Sequence, residues 1–208
     1  MTNKLIYIIR HGETEYNRLG IVQGSGVDMP LNELGQQQAL KFYQYYKSIR
    51  FKMIYTSALI RTRQTVLPFI EDGRKYEVHA ALNEISWGVF EGKPQSAEER
   101  AVYQEVVNAW KTGNYTTKIK GGESAIELQS RQLPFIQYLK KQQNEDCVLI
   151  CMHGRAMKSF LCSLLDEPLS EMEKFEHSNL CLYVVEYDGE KCTILKHKDV
   201  AHFGQNLH

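Results

Sequence analysis

Residues able to do chemistry fall at three places in this 208-residue chain. The first is Arg10-His11-Gly12-Glu13-Thr14, directly behind the apolar run Leu5-Ile6-Tyr7-Ile8-Ile9. The second is Ser57-Ala58-Leu59-Ile60-Arg61, behind Met53-Ile54-Tyr55-Thr56; the third is His153-Gly154-Arg155, behind Cys147-Val148-Leu149-Ile150-Cys151-Met152. Imidazole is a nucleophile, and guanidinium offers a planar fork of donors matched to phosphate oxygens. Taken singly, Arg61 reads as the partner of a surface carboxylate and His153 as a core histidine. Two arginines and two histidines brought together make a cationic pocket inside a chain whose 25 Lys and Arg balance 25 Asp and Glu. Such a pocket suits a phosphoryl group, whose transition state spreads charge over its equatorial oxygens.

That convergence requires each cluster to sit where a strand ends, and the patterning supplies the strands. Short β-branched apolar runs bounded by polar residues read as buried strands, and α/β proteins bind ligands outside the carboxyl ends of their strands. Gly12 is expected to let the chain turn sharply after the first strand. Asn32 is a plausible cap for a helix over residues 33–48, with Ala39, Leu40, Tyr43 and Tyr46 on its buried face. Phe42, Tyr43, Tyr45 and Tyr46 read as core and rim packing. A helix from Ile60 to Pro68, a strand at residues 76–78 and a loop over 82–92 follow. Residues 94–113 read as a helix with Val102, Val106, Ala109 and Trp110 buried. Ser96/Glu99 and Ser124/Glu127 have capping-box spacing, and Pro134 is expected to kink or interrupt the second of these helices. A helix over 155–165, a strand over 180–187 and a hairpin turn at Asp188-Gly189 into residues 191–195 complete the chain. Strands alternating with helices predict a three-layer α/β/α fold with a mostly parallel central sheet, one domain over 1–208 with a helical insertion at 93–120.

Composition removes several alternatives. A net charge of zero offers no overall field for nucleic acid or an anionic membrane surface. No apolar run is long enough to span a bilayer, and Met1-Thr2-Asn3-Lys4 leads straight into a strand without a secretory h-region. Five cysteines in apolar contexts fit a reducing, cytoplasmic location. Cys147 and Cys151 share one strand face, where packing outweighs metal binding. No CxxC or HExxH pattern occurs, so no metal site is expected, and a His197/His202 pair is weak. Gly24-Ser25-Gly26 lacks the rest of a dinucleotide or P-loop pattern. Monomer and homodimer are both left open.

With these motifs in place, the chain resembles the histidine phosphatase superfamily, the phosphoglycerate mutase-like enzymes. The resemblance rests on the stretch Arg10 to Asn17, Ser57 to Thr65 with Arg61, Leu82-Asn83-Glu84, Gly122-Glu123-Ser124 and His153-Gly154, in that order. It implies His11 as nucleophile through a phosphohistidine, and Arg10, Arg61 and His153 as holders of the phosphoryl oxygens with Asn17 as a further donor. It also implies Glu84 as the acid that protonates the leaving oxygen and then the base that activates water. Gln23, Gly24 and Gly154 are implied as substrate-binding positions. No cofactor is implied, because fixed cations take the part that magnesium plays elsewhere. Activity is expected to be acidic-to-neutral and lost above about pH 8 as Glu84 stays ionised.

Ile85 to Gly92 after Glu84, together with Gln23-Gly24, resembles the phosphatase branch acting on small phosphate esters. A phosphoglycerate mutase and a non-catalytic phosphate-binding member are the alternatives. Specificity is expected from residues 93–120, with Arg18, Lys93, Lys118, Lys120 and Arg155 as candidate contacts for a second anionic group. Each of these is more often plain solvated surface. His177, just before the last apolar strand, is a candidate for the pocket rim. His79, His197, His202 and His208 have no comparable support.

Overall fold

The computed structural model describes residues 3–206. Six strands form one mixed sheet in the order β3-β2-β4-β1-β5-β6. They are β1 (Lys4–Arg10), β2 (Met53–Thr56), β3 (Tyr76–Val78), β4 (Cys147–Met152), β5 (Leu182–Tyr187) and β6 (Cys192–Asp199). The first four run parallel; β5 is antiparallel to β1, and β6 returns antiparallel to β5 to close a hairpin. Asp188 shapes that hairpin by accepting from the Glu190 and Lys191 amides through Oδ1, 2.9 Å each. The helices are α1 (Glu15–Arg18), α2 (Glu33–Tyr46), α3 (Ile60–Glu71), α4 (Ala97–Lys111), α5 (Ala125–Lys141) and α6 (Gly154–Leu164).

Alternation along the strands divides the core in two, since successive side chains leave opposite faces. Ile9, Ile54, Leu149, Cys151 and Leu182 join Phe42 of α2 and Val66 and Phe69 of α3. Ile6, Ile8, Tyr55, Val148, Ile150 and Met152 join Trp110 of α4, Leu128 and Phe135 of α5 and Phe160 of α6. The three-layer arrangement read from the sequence is therefore present. Cys147 and Cys151 pack on the α2–α3 side, and all five thiols are free.

Several expectations are corrected by packing. Phe42, not Leu40, fills the core beneath α2; Leu40 is exposed. In α4 the buried stripe is Val106, Val107 and Trp110, while Val102 faces solvent. Pro134 does not interrupt α5, nor does Pro68 end α3. The carbonyl that each proline orphans, four residues back, lies on the exposed Ser130 and the half-buried Gln64. Buried Phe135, Ile136 and Leu139 then hold α5 in place beyond its proline. His197 packs on Phe175 and Tyr183, whereas His202 lies among Phe42, Tyr46 and Phe203 in the other core, so the two form no metal pair. Among the described residues no cluster of three or more His, Cys, Asp or Glu could hold a metal ion, and no helix is long and apolar enough to cross a membrane. His208 lies outside the described residues.

The sheet register explains why the three motifs meet. Arg10 pairs with Met152 across β1–β4, so His11 and His153 are the next residues out on neighbouring strands. Thr56 pairs with Cys151 across β2–β4, which brings Ser57 to the same edge. β5 runs the other way and starts opposite Ile9, so the residues just before it arrive at this edge too. Gly12 has no positive φ; what it supplies is space, since a Cβ there would lie 2.7 Å from the Gly35 carbonyl oxygen.

Candidate active site

His11 is nearly fully buried at the sheet edge. Its Nδ1 lies 2.7 Å from the carbonyl oxygen of Gly12, an acceptor only, so Nδ1 carries the proton and Nε2 presents its lone pair. The Gly12 amide in turn donates to Thr65 Oγ1 at 2.9 Å, and Thr65 donates to the Arg61 carbonyl at 2.7 Å, tying the turn to α3. Burial, reinforced by Arg61 and Arg10 nearby, holds the His11 ring well below the usual imidazole range. The ring is thus neutral and nucleophilic at physiological pH.

The other groups of the first loop are oriented around it. Asn17 Oδ1 accepts from the Thr14 amide and from Asn179 Nδ2, both at 3.2 Å, which leaves the Asn17 Nδ2 as a donor. Asn179 also donates to the His11 carbonyl at 2.9 Å. Arg10 Nη1 donates to His177 Nδ1 at 3.3 Å, whereas the buried Arg10 Nε has no partner among the described residues. Burial and Arg10 draw His177 down to about 3. Its ring is laid over Gly154, where a Cβ would stand 2.7 Å from His177 Cε1, so the glycine is a steric requirement. Gln23 donates to Thr14 Oγ1 at 2.7 Å, and its buried Oε1 has no partner among the described residues.

Arg61 and His153 lie directly behind this front rank, both fully buried. Arg61 Nε donates to His153 Nδ1 at 3.2 Å, so His153 carries its proton on Nε2 and donates to Ser57 Oγ at 2.8 Å. Arg61 Nη1 and Nη2 donate to the carbonyls of Val27, at 2.7 Å, and Gly24, at 3.3 Å. Gly24 thus acts through its backbone oxygen. The ring centres of His11 and His153 are 5.1 Å apart, and burial together with Arg61 also holds His153 well below the imidazole range.

Glu84 is clamped by the start of α6. Its Oε1 accepts from the amides of Ala156, at 2.8 Å, and Ile85, at 3.0 Å; its Oε2 accepts from that of Arg155 at 3.1 Å. Free amides at a helix N-terminus are natural carboxylate ligands. Arg131 fixes the loop that carries it, donating to the carbonyls of Glu84 and Asn83 at 3.0 Å each while Nε meets Glu123 at 2.8 Å. Glu91 braces the same loop through the Trp87 amide at 2.7 Å and the Gly26 amide at 2.9 Å.

A cavity of about 220 Å³ opens over Arg10, His11, Asn17, Gln23 and Glu84 and is bordered by His177, Gly154 and Arg155. His177 therefore reaches the rim, as read from its place in the sequence. Asn179 and Arg131, and the bracing part of Glu91, escape sequence reasoning as site features; for Asn179 the adjacency to His177 is the available signal, while Ser57 and Thr65 lie in the stretch already singled out. The candidate second-anion contacts are engaged elsewhere: Arg18 with Glu15, Lys93 with Glu99 and Lys118 with Glu127. Arg155 meets Glu173 and, at 3.2 Å, the Tyr103 hydroxyl. Lys120 is exposed and does not border the cavity.

A buried neutral imidazole with one nitrogen locked, a guanidinium with an orphaned donor and a clamped carboxylate stand around one cavity on a three-layer α/β scaffold, an arrangement with the chemistry to bind a phosphoryl group. The histidine phosphatase superfamily (branch 1) model matches residues 6–200, and the chain belongs to that family. Its class is that of a phosphoric monoester hydrolase acting on phosphorylated small molecules. Phosphoserine phosphatase 1 of Hydrogenobacter thermophilus is 29% identical over 204 residues, covering 97% of this chain and 95% of that protein. Fructose-2,6-bisphosphatase TIGAR of Xenopus tropicalis is 33% identical over 148 residues, covering 67% of this chain but only 50% of its own length. Among solved structures, a mycobacterial glucosyl-3-phosphoglycerate phosphatase superposes with a TM-score of 0.80 at 22% identity, covering 94% of this chain and 99% of that one, a likeness of fold.

Proposed function

We propose that the protein hydrolyses small phosphate monoesters without a metal, through a phosphohistidine on His11. The observation that carries this is the 2.7 Å contact from His11 Nδ1 to the Gly12 carbonyl, which presents Nε2 as a lone pair toward the cavity. Nε2 attacks phosphorus while the bond from phosphorus to the ester oxygen breaks, and Glu84 gives its proton to the departing alkoxide. Oε2, with one amide partner against two on Oε1, has the free lone pair to hold that proton. Water then attacks phosphorus, Glu84 takes a proton from it, the P–N bond breaks and orthophosphate leaves.

The Arg10 Nε and the Asn17 Nδ2 are the donors free to meet phosphoryl oxygens. Arg61 Nη2 and His153 Nε2 join them by exchanging Gly24 and Ser57 for the ligand. These donors, two of them on arginine cations, are oriented before the reaction, which is the main source of stabilisation for a developing phosphoryl charge.

The test is turnover of a generic aryl phosphate in EDTA by wild type and by His11→Ala, with chemical quench of the phosphoenzyme. Wild type is expected to remain active in chelator and to yield an acid-labile, base-stable phosphoprotein; His11→Ala should do neither. Activity that survives in His11→Ala or vanishes with EDTA would overturn the mechanism. Interconversion of 2- and 3-phosphoglycerate faster than ester hydrolysis would point to a mutase instead.

A further inference from the structure

Beyond the reacting groups, the cavity wall comes from the loop after α1, the loop after Glu84 and α4. Ile21, Val22, Trp87 and Tyr103 supply its apolar surface, with Gln95 as a neutral polar neighbour. The Trp87 ring stands 4.8 Å from Tyr103 and stacks 5.8 Å from Trp110, so the aromatic wall is backed by the core and cannot fold away. Among the described residues, Arg155 is the one cationic side chain on this wall. Its guanidinium is already engaged, by Glu173 and the Tyr103 hydroxyl, and lies 5.6 Å over the Trp110 ring. Glu173, from the 3₁₀ segment Leu169–Lys174, also takes Lys158 at 2.7 Å, which keeps that ammonium behind the wall. Cations that could have met a second anionic group are thus bound to a carboxylate.

Resting on the phosphatase reading above, we infer that the preferred substrate is the monophosphate of a compact alcohol with an uncharged, apolar or aromatic body. A substrate bearing a second phosphate, or a carboxylate beside the ester, would place that charge against Ile21, Val22, Trp87 and Tyr103 without a free partner, and a buried unpaired charge is strongly disfavoured. The cavity of about 220 Å³ also falls below the roughly 300–1,000 Å³ usual for drug-sized ligands. An apolar ring against Trp87 and Tyr103 replaces water on an aromatic surface, a gain that discriminates by roughly tenfold or more per well-placed group.

The experiment compares alkyl esters of similar leaving-group reactivity: 2-phenylethyl phosphate, ethyl phosphate, O-phosphoserine and 3-phosphoglycerate. Wild type is expected to show kcat/KM for 2-phenylethyl phosphate at least tenfold above each of the other three. O-phosphoserine or 3-phosphoglycerate equal to or better than 2-phenylethyl phosphate would overturn the inference. Tyr103→Ala and the loop variant Ile21→Ser should each cut the phenylethyl-to-ethyl ratio several-fold; an unchanged ratio in both would overturn the assignment of the wall. Glu173→Gln, which releases Arg155, should raise the 3-phosphoglycerate-to-phenylethyl ratio at least threefold, and a folded variant with an unchanged ratio would count against the charge argument. The wild-type panel stands even where that variant fails to fold. If no ester is turned over at all, the phosphatase reading itself falls, and this inference with it.

Discussion

Acid should unfold this protein through its histidines before its carboxylates, and the sign follows from where they sit. His177 is drawn to about 3 from an ordinary 6.5, and His11 and His153 are held well below that value. Each folded value lies below the unfolded one, so between them the unfolded chain binds protons that the native state refuses. Stability is therefore complete above about pH 6.5 and is lost as pH falls toward 3. For His177 alone the loss is about 1.4 kcal/mol for each pH unit below 6.5, set against a total stability of about 5–15 kcal/mol. His11 and His153 add to it in the same sense. Glu173 and Glu127 are held down to about 2 by their cationic partners, so their contributions persist until pH drops below about 4.5. The interval from pH 6.5 to 5 therefore belongs to the histidines.

Urea unfolding followed by tryptophan fluorescence at pH 7.5, 6.5, 6.0 and 5.5 would measure the effect. The free energy should fall steadily over the last three points, with an uptake of more than two protons on unfolding. His202 offers a control remote from the cavity: packed among Phe42, Tyr46 and Phe203, it is drawn down to about 4. His202→Phe should reduce the slope by about one proton while leaving the cavity residues in place. Stability that stays flat or rises from pH 7.5 to 5.5 would refute the reasoning, because it would mean that these rings are charged, or free to charge, in the native state.

Gly154→Ala should place a methyl 2.7 Å from His177 Cε1, push that ring off Arg10, cost roughly 1–3 kcal/mol in urea unfolding and lower kcat/KM. Glu84→Gln should slow alkyl phosphate hydrolysis by about 10²–10⁴-fold and p-nitrophenyl phosphate far less in the phosphorylation step, since only the poor leaving group needs the proton; equal losses in a quenched-flow comparison would remove Glu84 from the acid role. Arg131→Met, which releases the Glu84 and Asn83 carbonyls, should reproduce part of that leaving-group dependence, with little change in KM for ethyl phosphate.

The groups proposed to react were legible because most lie within a few residues of a strand end, where local pattern and topology together fix position. Arg10-His11, Ser57 and His153 meet through a parallel register that the alternating β and α elements already imply. His177 could be suspected, because it precedes an apolar strand. Arg131, Glu91 and Glu173 could not be read, because their partners lie 48, 65 and 18 positions away with no periodicity to link them. The α4 stripe differs from the pattern at one edge: Val102 and Val107 are equally apolar and stand about 140° apart around the helix, and tertiary packing covers Val107. Pro134 misled for a related reason: local propensity argues for a break, and tertiary burial on both sides of the proline outweighs it.

The first turn of α6 carries two duties at once. His153 caps the helix, and the Arg155 and Ala156 amides grip Glu84. Under the proposed mechanism a tilt or slide of α6 would move His153 and Glu84 together, which keeps the separation of the proposed phosphoryl ligand and proton donor. Most of the cavity wall hangs from α4 and from the loops after α1 and Glu84, with Arg155 of α6 beside them. Arg155 therefore joins the two: its amide holds Glu84 while its guanidinium meets the Tyr103 hydroxyl of α4, so a shift of the wall reaches the clamped carboxylate through one residue.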